Sequence, residues 1–209
     1  MENTLYQALA ERGYRIAMRP FELNVIGIRA NTSVPNVFND SLNVLFIDNT
    51  GRLANVSWRA TTDPGTYWLK NPMNPQGTAI LKPGQYFGSH ALGMHRGKYL
   101  ALVQVRPVTV IRDFNRDGNA DYAIGREETG LFGINIHRAS VEGTTKTIDK
   151  YSAGCQVFAN ADDFSAFLQL AERHKNIYGN SFTYTLLSGL PDGSVPQFDE
   201  QGKLISKKN

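Results

Sequence analysis

Two short segments carry the residues that could do covalent chemistry. Cys155 is the single cysteine of the chain and follows Ser152-Ala153-Gly154. His137 lies eighteen positions earlier, at the end of an apolar stretch, Leu131 to Ile136. A free thiol titrates near 8.5, so little of it is thiolate at neutral pH. A histidine beside it can take the proton, and the sulfur can then attack an amide carbonyl. The same histidine can return the proton to the leaving amine. Small residues before the cysteine leave one side of the sulfur open, and Gly154 permits backbone angles that a Cβ would hinder. A segment of that kind could aim main-chain N–H groups of Gly154 and Cys155 at a developing oxyanion. A third group must orient the imidazole, and a backbone carbonyl would serve as well as a side chain. A buried, inert cysteine is the plainer alternative for a lone thiol.

The elements that must hold these residues are mostly strands. Phe21–Ile28 reads as a strand. Leu42–Ile47 and Ala54–Ala60 flank Asn49-Thr50-Gly51 as a hairpin. Residues 61–84 are rich in Pro, Gly, Asn and Thr and read as a long loop, interrupted by a short strand at Thr66–Leu69. Gln85–Phe87, Tyr99–Val105, Val108–Ile111 and Gly130–His137 read as further strands, with His90 and His95 in a glycine-containing loop between the first two. A short helix is expected over 4–14. A stronger one starts after Asn160, where Phe164, Phe167, Leu168 and Ala171 recur at helical spacing behind Asp162 and Asp163. Phe182–Leu187 closes the set as a strand. The expectation is a mainly β fold, a sandwich or barrel-like sheet, with one good helix in the C-terminal half. It divides into an N-terminal extension (1–35), a central domain (36–190) and a polar tail (191–209).

With these residues placed, the chain resembles the catalytic domain of the L,D-transpeptidase family, the YkuD type. That family places a histidine after a short apolar strand and then, at about this separation, Ser-His-Gly-Cys with an arginine two places on. Here the corresponding residues are Ile136-His137 and Ser152-Ala153-Gly154-Cys155. Thr62-Asp63-Pro64-Gly65 and Pro83-Gly84-Gln85-Tyr86 are similar to upstream segments of the family, so the resemblance spans about residues 42 to 160. It implies an L,D-transpeptidase-like β-sandwich. It also implies that Cys155 is a nucleophile forming a thioester with a peptidoglycan stem peptide, that His137 is base and acid, and that Gly154 helps hold the oxyanion. Ser152 would shape the pocket floor. Tyr86 and His90 are read separately as residues lining a substrate groove, with ordinary loop residues as the alternative. Two positions depart from the pattern. Ala153 stands where the family has histidine, and Val157 stands where it has arginine. Arg138, directly after the histidine, is the substitute substrate contact considered from sequence. Attack on the thioester by an amine gives transpeptidation; attack by water gives a carboxypeptidase or endopeptidase. The alternatives are a non-catalytic wall-binding or structural β-domain and a cysteine peptidase of ordinary proteins.

Asp113, Asn115, Asp117, Asn119 and Asp121, with Gly118 at the sixth place, follow the first nine positions of a calcium loop, but Ile124 stands where the twelfth position needs Glu. A structural calcium site and an Asx-rich turn are both open. The chemistry outlined above requires no cofactor. A zinc site would have to combine His90 and His95 with His137 or Cys155. The formal charge of +3, from 22 basic and 19 acidic residues, gives no concentrated basic patch for nucleic acid. No apolar run is long enough to span a membrane, and residues 1–20 lack the apolar core of a signal peptide. A protein that reaches the wall by another route, such as a phage lysis enzyme, would fit. Oligomeric state is not legible.

Overall fold

The structure, a computed structural model, describes residues 2–31, 34–190, 196–199 and 204–205. Most of the tail expected over 191–209 therefore lies outside the described residues. The described chain runs α1 (Glu2–Glu11), β1 (Asn24–Arg29), β2 (Asp40–Ile47), β3 (Leu53–Thr61), α2 (Thr66–Lys70), β4 (Thr78–Leu81), β5 (Gly84–His95), β6 (Tyr99–Gln104), β7 (Val108–Asp113), β8 (Arg126–Gly130), β9 (Ile136–Arg138), β10 (Gln156–Phe158), α3 (Ala161–Tyr178) and β11 (Phe182–Ser188). Among the described residues no helix is long and apolar enough to cross a membrane.

The fold is dominated by mixed β-sheet, with α3 in its C-terminal half. Eight strands hydrogen-bond in a closed ring, β1-β11-β5-β6-β9-β10-β3-β2, and β4-β7-β8 form a separate three-stranded sheet. Two pairings in the ring are parallel, β1 with β11 and β9 with β10. β1 pairs with β2 on its other side, so the division expected at residues 35 and 36 cuts through the ring. Helix α1 packs Leu5, Ala8 and Leu9 against Ile26, Ile28, Leu45 and Leu187.

The β2–β3 hairpin forms as its pattern predicts. The Asp48 carboxylate accepts from the Thr50 and Arg52 N–H groups and holds the turn. Helix α3 also starts where expected: Asn160 Oδ1 accepts from the N–H groups of Asp162 (2.7 Å) and Asp163 (3.1 Å). Phe164 and Phe167 pack on Phe158, Phe167 meets Trp58, and Phe164 meets Tyr99 edge-on. The helix thereby braces β10 and β6, which border His137 and Cys155.

Three local expectations are corrected. Residues 66–70 form one helical turn, not a strand. Trp68 N–H and Leu69 N–H both return to the Gly65 carbonyl, and Leu69 is the residue buried. The aromatic composition favours a strand, but burial on one side only suits a single turn. His90 and His95 lie in the twelve-residue strand β5, not in a loop. Gly93 belongs in that strand because a Cβ there would stand 2.8 Å from Val103 Cγ2 across the pairing. Finally, the stretch expected as one strand over Gly130–His137 is two short strands separated by irregular chain. Gln104 causes the break: its Oε1 accepts from Phe132 N–H (3.0 Å) and Ile134 N–H (2.9 Å), replacing ladder bonds with side-chain bonds.

Candidate active site around Cys155 and His137

The parallel register of β9 and β10 brings the two sequence-predicted residues onto one face. Gln156 pairs with Ile136 and Val157 with His137. Paired residues point to the same side and successive residues alternate. Ile136 and Phe158 join the main core, and Gln156 is buried beside them, accepting from Tyr184 Oη at 2.8 Å. His137 and Val157 take the opposite face, as do Asn135 and Cys155 one step before their strands. Val157 packs there with Phe38, Ile148 and Ala159, and Cys155 borders that cluster. Cys155 and His137 are thus diagonal neighbours on that face.

His137 is 5% exposed. Its Nδ1 lies 2.8 Å from the carbonyl oxygen of Arg138. A carbonyl can only accept, so Nδ1 carries the proton and Nε2 carries the lone pair. The group that orients the imidazole is therefore a backbone carbonyl. Tyr99 Oη reaches the same carbonyl (3.4 Å) and lies 3.3 Å from Nδ1. The His95 ring stacks on His137, with centroids 4.2 Å apart and planes at 25°. His95 Nδ1 accepts from the Asn135 amide at 3.1 Å, so its proton is on Nε2. Burial, the neighbouring His95 and the charge of Arg96 hold His137 neutral, with its pKa pushed down to about 3.

Cys155 keeps part of its surface open to solvent. Its Sγ donates to the Gly133 carbonyl at 3.3 Å and makes no hydrogen bond to His137. Desolvation raises the thiol above its ordinary range, against the opposing influence of the Asn135 N–H and the Arg96 charge. The resting pair is thiol and neutral imidazole, not thiolate and imidazolium.

The loop before the sulfur is tightly built. Gly154 has φ +121°, and a Cβ there would lie 2.3 Å from the Ala79 carbonyl oxygen, so only glycine fits. Its N–H donates to Ser152 Oγ at 3.2 Å and is engaged at rest. The N–H of Cys155 has no acceptor among the described residues, which leaves it as the available oxyanion donor. Ser152 is wholly buried: its hydroxyl donates to the Cys155 carbonyl (2.8 Å), and its carbonyl accepts from Gly65 N–H (2.9 Å). It braces the loop and has no surface to offer a substrate.

The other residues expected at a groove sit elsewhere. His90 is fully buried. Its Nδ1 meets Ser89 Oγ at 2.8 Å and its Nε2 meets the Ile134 carbonyl at 2.8 Å, so it anchors the 131–135 segment from beneath. Burial pushes its pKa down to about 4. The Tyr86 hydroxyl donates to the carbonyls of Lys82 (2.5 Å) and Thr109 (3.2 Å), tying β5 to the three-stranded sheet. Arg138 lies beside the site, with its guanidinium 4.6 Å from the centre of the Tyr99 ring. Among the described residues no three His, Cys, Asp or Glu side chains are gathered closely enough to hold a metal ion.

Sequence reasoning considered His95 only as a zinc ligand and did not place Asn135, Tyr99 or Arg96 beside His137. Arg96 occupies the β5–β6 turn at φ +50°, and its charge acts on His95, His137 and Cys155. On the other flank, Ala153 opens onto a groove shared with Trp68, Met73, Phe132 and Arg112. The position that carries arginine in the L,D-transpeptidase pattern is Val157, which is fully buried. Arg96 acts by its charge on His137 and Cys155, and Arg138 lies over Tyr99. Comparison of the chain with protein-family models, with curated proteins and with solved structures returns no match.

Proposed function

We propose that this protein is a cysteine-dependent acyl-transfer enzyme acting on peptidoglycan stem peptides through a thioester on Cys155, as an L,D-transpeptidase or an L,D-carboxypeptidase or endopeptidase. One observation carries the reading: the β9–β10 register sets His137 diagonally across from Cys155 while the Arg138 carbonyl fixes the imidazole with its Nε2 lone pair free. The eight-stranded ring and the three-stranded sheet would then stand for the family's sandwich.

In the proposed reaction the thiol leaves the Gly133 carbonyl and turns toward Nε2 of His137. The proton passes to Nε2 as sulfur bonds to the substrate carbonyl carbon, and the oxyanion meets the Cys155 N–H. Collapse breaks the C–N bond, and the imidazolium protonates the departing amine. Water or a second amine then resolves the thioester. Arg96 or Arg138 would hold a substrate carboxylate.

The test is intact mass of the protein after incubation with a muropeptide ending in D-Ala, with product analysis and Cys155→Ala alongside. A wild-type adduct with released D-Ala or a cut stem is the expected result. No adduct or product in folded protein, across D- and L-centred peptides, would overturn the enzyme reading; turnover of L-peptides alone would make it a peptidase of proteins.

A second reading is a non-catalytic wall-binding or structural β-domain of the same ancestry. It is favoured by the thiol's bond to Gly133 in place of His137, and by Ala153 and Val157 at the two departing positions.

A further inference from the structure

The loop joining β7 to β8 carries three carboxylates with nothing to balance them. Asp113, Asp117 and Asp121 form no ion pair with any described residue. Asp113 is 1% exposed, which is a costly place for a carboxylate. Its Oδ2 accepts from Asp121 N–H at 3.0 Å, directing the group into the loop, and its Oδ1 is buried with no hydrogen-bond partner among the described residues. A buried carboxylate oxygen left without a partner, in a group on which the charges of Asp121 and Asp117 act, has the demand that a cation satisfies.

We propose that residues Asp113–Asp121 bind a calcium ion. Oxygen ligands recur at the first, third, fifth and ninth places as Asp113, Asn115, Asp117 and Asp121, and the Asn119 carbonyl stands at the seventh. The chain turns back through Arg116 (φ +60°) and Gly118 (φ +93°). Hard oxygen donors without nitrogen or sulfur select calcium or magnesium over zinc, and a flexible loop of many oxygens favours calcium over the small, rigidly octahedral magnesium. The side-chain amide of Asn115 now donates to Asp117 and Asp121, so a partial positive charge already bridges the two. Binding requires that amide to turn its oxygen inward and the three carboxylates to close up, a rearrangement coupled to the ion. Three acids without the twelfth-position Glu place the affinity at the weak end, with Kd on the order of 10⁻⁴–10⁻³ M.

The site is joined to the chain under Cys155. Gly118 lies against Thr66 and Lys70 of α2. Tyr122, next to Asp121, donates to Asp63 Oδ2 at 2.6 Å, and Gly65 N–H bonds the Ser152 carbonyl. Calcium would stiffen the 63–66 segment on which the nucleophile loop rests, whether or not Cys155 is catalytic.

The test is calorimetric titration of the metal-stripped, folded chain with CaCl₂ and separately with MgCl₂, with melting temperature recorded in each. Saturable binding of calcium is expected, with a rise of about 3–5 °C at tenfold excess over Kd, and both effects should vanish in Asp117→Asn/Asp121→Asn, which changes one exposed and one half-buried side chain. Three results would overturn the proposal: no saturable heat up to about 10 mM calcium, an equal response to magnesium, which marks charge screening only, or calcium binding that survives the double substitution.

Discussion

The neutrality of His137 has a measurable effect on stability. In the unfolded chain a histidine titrates near 6.5; in the fold, His137 is pushed down to about 3 and His90 to about 4. A group whose pKa is depressed by folding contributes stability that is whole above the unfolded value and is lost as pH falls toward the folded one. From pH 7 to pH 5 each of these histidines should therefore remove about 2 kcal/mol. Asp40 opposes them. Burial and the nearby Asp63 raise it to about 7, so its contribution is whole at low pH and is lost as pH rises through 7. It returns about 2 kcal/mol over the same interval. His95 and His174 are depressed as well and add to the loss, but His137→Gln removes one titration, so it should lose about 2 kcal/mol less than the wild type between pH 7 and pH 5. Urea denaturation of both proteins at the two pH values measures the difference. If His137→Gln retains the wild-type pH dependence, His137 is not held neutral by the fold, and the assignment of a free Nε2 lone pair at rest is wrong.

Three further outcomes follow from named contacts. Alkylation of Cys155 by iodoacetamide should rise about tenfold per pH unit up to pH 9, and Arg96→Gln should slow it at fixed pH because that charge lowers the thiol; a rate plateau between pH 5 and 7 would reveal a resting ion pair and refute this picture. Gly154→Ala should cost about 2–4 kcal/mol, from a strained φ and a Cβ set against the Ala79 carbonyl, and a loss under about 0.5 kcal/mol in denaturant unfolding would contradict the loop geometry. Gln104→Ala frees the Phe132 and Ile134 N–H groups and should cost about 1–3 kcal/mol, with faster hydrogen exchange at those two amides; unchanged exchange would mean that Gln104 does not hold the segment.

What the sequence disclosed was local, and what it hid was made by pairing. Helix α3 carries its signal in contiguous residues, the Asn160 cap and the apolar spacing behind it. The β2–β3 hairpin likewise has both strands and its turn within one short window. The segments around His137 and Cys155 announced themselves because each holds its chemistry beside its glycine or apolar strand. His95 and Tyr99 had no such signal for this place. They reach His137 only because β5 pairs with β6 and β6 with β9, a fact of register and not of composition. His90 misled for a related reason: a histidine among glycines reads as a loop residue, yet in β5 the glycine at 93 makes room for Val103 and His90 turns inward. The strand expected over Gly130–His137 failed because one distant side chain, Gln104, offered its backbone a better set of acceptors.

The two functional readings part over where the thiol proton goes, and the geometry narrows what an enzyme would have to do. A thiol bonded to the Gly133 carbonyl gives up a weak donor interaction when it turns, and S–H donation is among the weaker hydrogen bonds. That step is inexpensive. Charging the pair is the larger demand, since burial depresses His137 and raises Cys155 together, and each imidazolium formed would sit against the stacked ring of His95. A stable thiolate–imidazolium pair is therefore disfavoured before substrate arrives. Proton transfer must accompany attack, with the negative charge passing at once from sulfur to the carbonyl oxygen, where the Cys155 N–H can receive it. An enzyme built this way keeps its thiol quiet until a carbonyl is in place. A binding domain with the same two residues would keep it quiet always. The protonation state at rest fits both, so the deciding property is whether a bound carbonyl draws the sulfur away from Gly133.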